Sequence, residues 1–239
     1  SWYMNSTNAG KFEVDGVVVD KFATSNELQG SGKFVGIGIF VHEFSHVLGL
    51  PDLYATTYNQ SAFTPGAWSV LANGPYNNNG RTPPHYSAYE LSELGWLNLK
   101  ELDKPDDVTL SPVSENQGYR ITTDKDNEYY VFENRQKEGW DKYIPGHGML
   151  VWHIDYNESR WTNNLVNTNA SHQCVDIVEA DGKLDEPTRA GDSFPGTSHV
   201  TSFTDDTTPS MISWSGSRLN KPITDISESS DGVVTFKVM

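Results

Sequence analysis

Residues 41–54 read VHEFSHVLGLPDLY, and four of them could do chemistry together: His42, Glu43, His46 and Asp52. On a helix, residues i and i+4 project from one face a turn apart, so His42 and His46 can direct ring nitrogens at one metal ion about 2 Å away. Glu43 is rotated too far round to ligate comfortably, yet stays near enough to take a proton from a metal-held water, the work of a general base. Zinc is the ion this pattern serves, because it lowers the pKa of that water and polarises the carbonyl under attack. A catalytic zinc takes three protein ligands and leaves a fourth position open, and a chain that turns sharply at Gly49 can bring Asp52 back as the third. Two plainer readings stand beside this one: an accidental His-Glu-x-x-His on a surface helix, and Asp52 as the cap of a turn after Pro51. Accident alone is expected in roughly one chain per hundred of this composition, and requiring Gly49 and Asp52 lowers that about a further hundredfold, so zinc is the adopted reading.

The elements that must position these residues are legible around them. Ile37, Phe40, Val41, Phe44, Val47 and Leu48 recur at helical spacing, which predicts an amphipathic helix over 38–48 with this stripe anchored to a core. His42 and His46 lie on the next face. Gly49 ends the helix and Pro51 prevents it resuming. Upstream, 11–23 alternates around Asp15-Gly16, a hairpin signal. Downstream, 57–82 reads as loop around a short apolar element, Trp68 to Leu71, and PPHYSAYELSELGW as a second helix with Pro84 near its start and Gly95 past its end. The polar, proline-bearing 101–118 is the best place for a boundary. Beyond it YRIT, YYVFEN, GMLVWHID, CVDIVEA and VVTFKV are strand-like. The expected organisation is α+β: residues 1–100 a catalytic region and residues 101–239 a β-rich region.

Composition narrows the function classes. Lys and Arg number 17 against 32 Asp and Glu, a net charge of −15, which argues against nucleic acid and anionic membrane surfaces as partners. The single cysteine, Cys174, precludes an intrachain disulfide. No apolar run reaches the ~18 residues of a membrane span. Sequons at Asn5, Asn59, Asn157 and Asn169 are what chance gives in a chain so rich in Asn, Ser and Thr.

HEFSHVLGLPDLY, then GAWSVLANG, PPHYSAYELSELGWL, YYVFENRQKEGWDKYIPGHGMLVWHID and GDSFPGTSHVTSFTDDTTPSMISWSG, together resemble the immune inhibitor A-like family of secreted bacterial metallopeptidases, from about residue 30 nearly to the C-terminus. The resemblance implies a zincin fold, zinc on His42, His46 and Asp52 with Glu43 as base, export to the exterior or cell surface through a targeting segment outside this chain, and a protein or peptide substrate. His-Glu-x-x-His-x-x-Gly-x-x-His is the metzincin signature, and here Asp52 stands where that family has histidine. Leu71 stands where the Met-turn methionine is expected, a swap that usually costs under ~1.5 kcal/mol. Only 41 residues precede His42, so the upper half of a zincin cleft is expected to be partly missing.

Other residues receive structural readings. His85 borders a helix start and is read as a capping or packing residue; His147, His153, His172 and His199 have no ligand partner at i+2 or i+4. Asp124, Asp126 and Glu128 space like a calcium loop but lack its glycine, so a hairpin turn is expected. Asp181, Asp185 and Asp192 form a second acidic loop, a candidate for calcium. The expected function is a zinc endopeptidase. Its rivals are an inactive protein- or glycan-binding module on a protease scaffold, and a zinc amidase for a small or cell-wall substrate, which a narrow closed pocket would favour over an open groove.

Overall fold

The computed structural model describes residues 2–5, 10, 12–28, 30–57 and 62–239. The sequon at Asn59 lies outside them. Among the described residues short helices mix with four sheets, an α+β arrangement.

Near the N-terminus, β1 (Trp2–Asn5) pairs antiparallel with β4 (Lys21–Thr24), and β2 (Phe12–Val14) with β3 (Val17–Val19). Asp15 and Gly16 both take positive φ, 50° and 79°, the left-handed pair a two-residue hairpin needs. Helix α1 follows over Gly38–Leu48, the span its periodicity predicted. Gly38 lets the 74–80 turn pack directly on the helix start: a Cβ there would lie 2.0 Å from Pro75 O.

The apolar stripe of α1 is a correction. Ile37, Phe40, Phe44 and Leu48 are 47%, 42%, 43% and 38% exposed, and Phe40 stacks on Phe44 rather than on a core. The helix is held instead through Gly38, the fully buried Ser45, and Val41, which packs against the main core. Periodicity identifies an apolar face but not what covers it, and β1 and β4 cover only part of this one.

Helix α2 spans Ala88–Glu93, shorter than read from the sequence. It starts at Ser87 because Ser87 and Glu90 form a capping box, which overrides the start suggested by Pro84. The five-stranded sheet runs β10 (Val175–Ile177), β9 (Gly148–Asp155), β8 (Glu128–Arg135), β7 (Tyr119–Thr122) and β5 (Lys100–Glu101), antiparallel except for the β5–β7 pair. Residues 123–128 make the hairpin turn between β7 and β8, as expected. The 101–118 stretch is no free linker: β6 (Asp106–Leu110) joins β12 (Val234–Val238), itself paired with β11 (Ile223–Glu228). Val108 and Leu110 are apolar on alternate positions, and that period places both inside.

The central strands are buried on both faces, so they read as near-continuous apolar runs. Val131, Leu150, Trp152 and Ile154 point toward the helical part and share its core with Trp68, Leu71, Tyr89 and Leu91. Tyr130, Phe132, Met149 and Val151 point the other way, onto the three-stranded sheet. One layer thus supports the helices while the other braces that layer from behind.

Candidate metal centre

Helix α1 ends where the sequence says it should. Gly49 is left-handed, φ 106°, and its N–H donates to His46 O at 3.1 Å while Leu50 N donates to Ser45 O at 3.1 Å. The chain then doubles back through Pro51, and Leu53 N bonds Leu71 O at 2.8 Å, pinning the return against the buried Trp68–Leu71 segment. Asp52 is thereby turned onto the face of the helix that carries the two histidines.

Three atoms converge there. His42 Nε2 and His46 Nε2 are 3.3 Å apart, and Asp52 Oδ1 lies 3.3 Å from the first and 3.2 Å from the second. His42 Nδ1 sits 2.9 Å from Val70 O and His46 Nδ1 2.8 Å from Leu50 O. A carbonyl oxygen only accepts, so each Nδ1 carries the hydrogen and each Nε2 presents its lone pair to the centre of the triangle. Asp52 Oδ1 is buried without a hydrogen-bond partner. Two nitrogen lone pairs and a carboxylate oxygen facing one another are unfavourable unless a cation lies between them. A tetrahedral zinc with bonds near 2.0–2.1 Å separates its donor atoms by roughly 3.3 Å, so the triangle fits one face of that coordination. Among the described residues this is the one place where three such donors come together.

The charge distribution follows the same geometry. Burial works against ionisation of Asp52, but its contacts with His42 and His46 win and hold the carboxyl well below the usual range. Burial likewise opposes a charge on His46, and the neighbouring Asp52 overcomes it, raising that imidazole above its ordinary value. Tyr54 borders the cluster, its ring 6.3 Å from that of His42. Burial, then the charge of Asp52, pushes its phenol well up, so it keeps its proton at neutral pH.

Asn164 completes the support, and sequence reading missed it. Its Nδ2 donates to Asp52 Oδ2 at 2.7 Å and its Oδ1 accepts from Asp52 N at 2.8 Å, so one amide grips both ends of the residue and leaves Oδ1 of Asp52 for the cluster. Asn164 follows helix α3 (Glu158–Thr162) with φ 56°, and Thr56 Oγ1 anchors its carbonyl at 2.7 Å. The one available signal was Asn163-Asn164 after a short helical segment, since asparagine tolerates the left-handed conformation. Glu90 accepts from Ser69 Oγ at 2.6 Å, and Ser69 Oγ accepts from Leu71 N at 2.9 Å, so α2 fixes the segment in which Leu71 lies fully buried.

Glu43 is half-buried at the edge of the cluster. Two hollows of about 590 Å³ each flank it, one reaching toward Leu28, Val35 and Tyr76, the other toward Trp161 and Asn164. His42, Glu43 and Tyr54 line both, so both hollows border the centre.

The other titratable groups are elsewhere. His85 packs at the start of the α2 region, its backbone N–H on Asp141 Oδ1 at 2.8 Å. His147 pairs with Glu228, His153 with Glu128 and His172 with Asp155. Asp181, Asp185 and Asp192 do not converge: Asp185 is exposed, Asp181 caps its own turn through Lys183 N at 3.0 Å, and Asp192 is fully buried. Burial pushes the Cys174 thiol up to about 11, which suits packing rather than nucleophilic chemistry.

Comparison with known proteins meets this geometry on the same stretch. Residues 31–97 match the family model for the immune inhibitor A peptidase M6 catalytic domain. The chain is 35% identical over 75 residues to Immune inhibitor A of Bacillus thuringiensis subsp. alesti, covering 28% of this chain and 11% of that protein. It is 30% identical over 93 residues to the Pre-pro-metalloprotease PrtV of Vibrio cholerae serotype O1, covering 33% of this chain and 10% of that protein. The matched stretch is thus about a tenth of the length of these curated relatives. Residues 31–97, which hold the whole histidine–aspartate cluster, carry the catalytic-domain pattern of the immune inhibitor A-like metallopeptidases.

Proposed function

We propose that this chain carries the zinc centre of an endopeptidase of zincin type, with His42, His46 and Asp52 as ligands and Glu43 as general base. The observation that carries this reading is the triangle of donor atoms 3.2–3.3 Å on a side, with Asp52 Oδ1 buried and without a partner. Zinc bound there would supply Lewis acidity toward a peptide carbonyl and toward water. The chain's own groups do the rest. Val70 O and Leu50 O fix both imidazoles in the tautomer that offers Nε2. The Glu43 carboxylate takes the proton of the attacking water and returns it to the nitrogen of the departing amine. The Tyr54 hydroxyl, protonated and at the rim of both hollows, is placed to donate to a substrate carbonyl.

Two open hollows that both border Glu43 suit an extended peptide better than a small closed-in substrate, which weighs against the amidase alternative. In this reading residues 1–100 supply the catalytic apparatus and residues 101–239 the β-rich support, and the enzyme works outside the cell or at its surface. The test is Glu43→Gln. The amide fits the site but accepts no proton, so zinc content stays at one per chain while hydrolysis of a denatured protein substrate falls by about three orders of magnitude or more. Turnover near that of the unaltered chain removes Glu43 from the reaction.

A further inference from the structure

Helix α1 carries two of the three donors, yet most of its apolar stripe is exposed, so packing of that stripe does not fix how the helix is rolled about its axis. At about 100° per residue, Gly38, Val41 and Ser45 fall on one narrow strip beside the histidines, and that strip meets the body of the molecule. Gly38 is seated by close approach to Pro75 and Val41 by apolar packing, neither of which has a bonding direction. Ser45 is different. Its fully buried hydroxyl donates to Val41 O at 2.7 Å, one turn back, and its Oγ lies 2.5 Å from the Tyr86 hydroxyl. A serine hydroxyl has one hydrogen and Val41 O takes it, so the Tyr86 hydroxyl donates to Ser45 Oγ.

Tyr86 is itself held firmly. Its ring stands edge-on to Trp96, centroids 6.0 Å apart, and packs against the main core. On one side of it, His85 N donates to Asp141 Oδ1 at 2.8 Å and His85 O accepts from Arg135 Nη2 at 3.2 Å. On the other, Ser87 N donates to Glu90 Oε2 at 2.6 Å and Ala88 N to Glu133 Oε2 at 2.5 Å. A fixed phenol thus reaches the flank of α1 from a segment that supplies none of the three donors. The hydrogen bonds on the imidazoles act differently: Leu50 follows directly on the helix and moves with it, and Val70 O orients the ring of His42 rather than the helix. Metal ligands need to be held within about 0.5 Å of their working geometry, and a roll of the helix moves both histidines at once.

We propose that Tyr86 is a positioning residue for the metal centre: through Ser45 it sets the roll of α1, so that Nε2 of His42 and of His46 both face Asp52. The proposal rests on the zinc reading above.

The test measures zinc affinity of the whole chain by competition with a chromogenic chelator, well below the thermal midpoint. The visible spectrum of the cobalt-substituted chain records the ligand geometry. Tyr86→Phe keeps the ring and loses only the hydroxyl; it still binds one zinc, with affinity lowered about tenfold and the cobalt bands shifted. Ser45→Ala has an effect of similar size, and the double variant binds no more weakly than the weaker single variant, because both changes break the same bond. Phe236→Leu, in the three-stranded sheet, lowers the thermal midpoint and moves neither readout. The proposal is overturned if Tyr86→Phe leaves affinity and spectrum unchanged, if the losses multiply in the double variant, or if Phe236→Leu weakens zinc as much as Tyr86→Phe does. An unaltered chain that binds no zinc would instead remove the zinc reading and this proposal with it, so the two failures are told apart before any variant is compared.

Discussion

Two buried polar clusters lie on either side of the Trp68–Leu71 segment, and they differ in where their positive charge comes from. In one, Arg135 is fully buried and bonds Asp141 through two nitrogens at 2.8 and 2.6 Å and Glu133 at 3.2 Å. Glu133 also accepts from Trp152 Nε1 and Ala88 N, and Asp141 from His85 N, so every partner is supplied by the chain. In the other, His42, His46 and Asp52 offer three acceptor atoms to one point, and among the described residues no Lys or Arg forms an ion pair with Asp52. The first cluster is closed and joins β8 to α2. The second is open, and a cation from outside would close it. Buried polarity alone therefore does not mark a functional site; an excess of converging acceptors does.

Breaking the closed cluster should have the larger effect on folding. Arg135→Met strands Glu133 and Asp141 as buried carboxylates and should cost about 3–5 kcal/mol, read as a lowered denaturation midpoint whether or not zinc is present. A loss under about 1 kcal/mol would mean the network is far less desolvated than it looks. Asn164→Ala sharpens the contrast from the other side. Freed from its amide clamp, Asp52 should still reach the centre but less rigidly, lowering zinc affinity about 10–100-fold, with little change in the stability of the metal-free chain. Equal losses with and without zinc would make Asn164 a packing residue only. The smallest effect is expected from Leu71→Met, a near-isosteric change in the Trp68–Leu71 segment, which should shift stability by under ~1.5 kcal/mol and leave zinc stoichiometry unaltered. Loss of the metal in that variant would contradict a packing role for Leu71.

What could be read from the sequence was what repeats or punctuates locally. The bounds of α1, the reversal at Gly49, and strands β7 and β9 all follow from period and glycine placement. The histidine pair and Asp52 were legible because a helix and one sharp turn bring them together within eleven residues. Asn164 was not, since it meets Asp52 across 112 residues and no periodicity records such a tie. Strand β6 was hidden because its five residues, DDVTL, sit in a polar, proline-bearing stretch and gain their order from β12. The stripe on α1 failed in the opposite sense: its pattern was correct, and its burial was not.

The central claim, that an external zinc closes the open cluster with Asp52 as its third ligand, is tested most directly by calorimetric titration of zinc into the metal-free chain and into its Asp52→Asn variant. The Asn side chain can still cap a turn but brings no charge to the metal. One zinc per unaltered chain is expected, with binding in the variant weakened by more than the roughly 10–100-fold that loss of an outer hydrogen-bond partner produces. An unchanged affinity in Asp52→Asn would take Asp52 out of the centre and contradict the account.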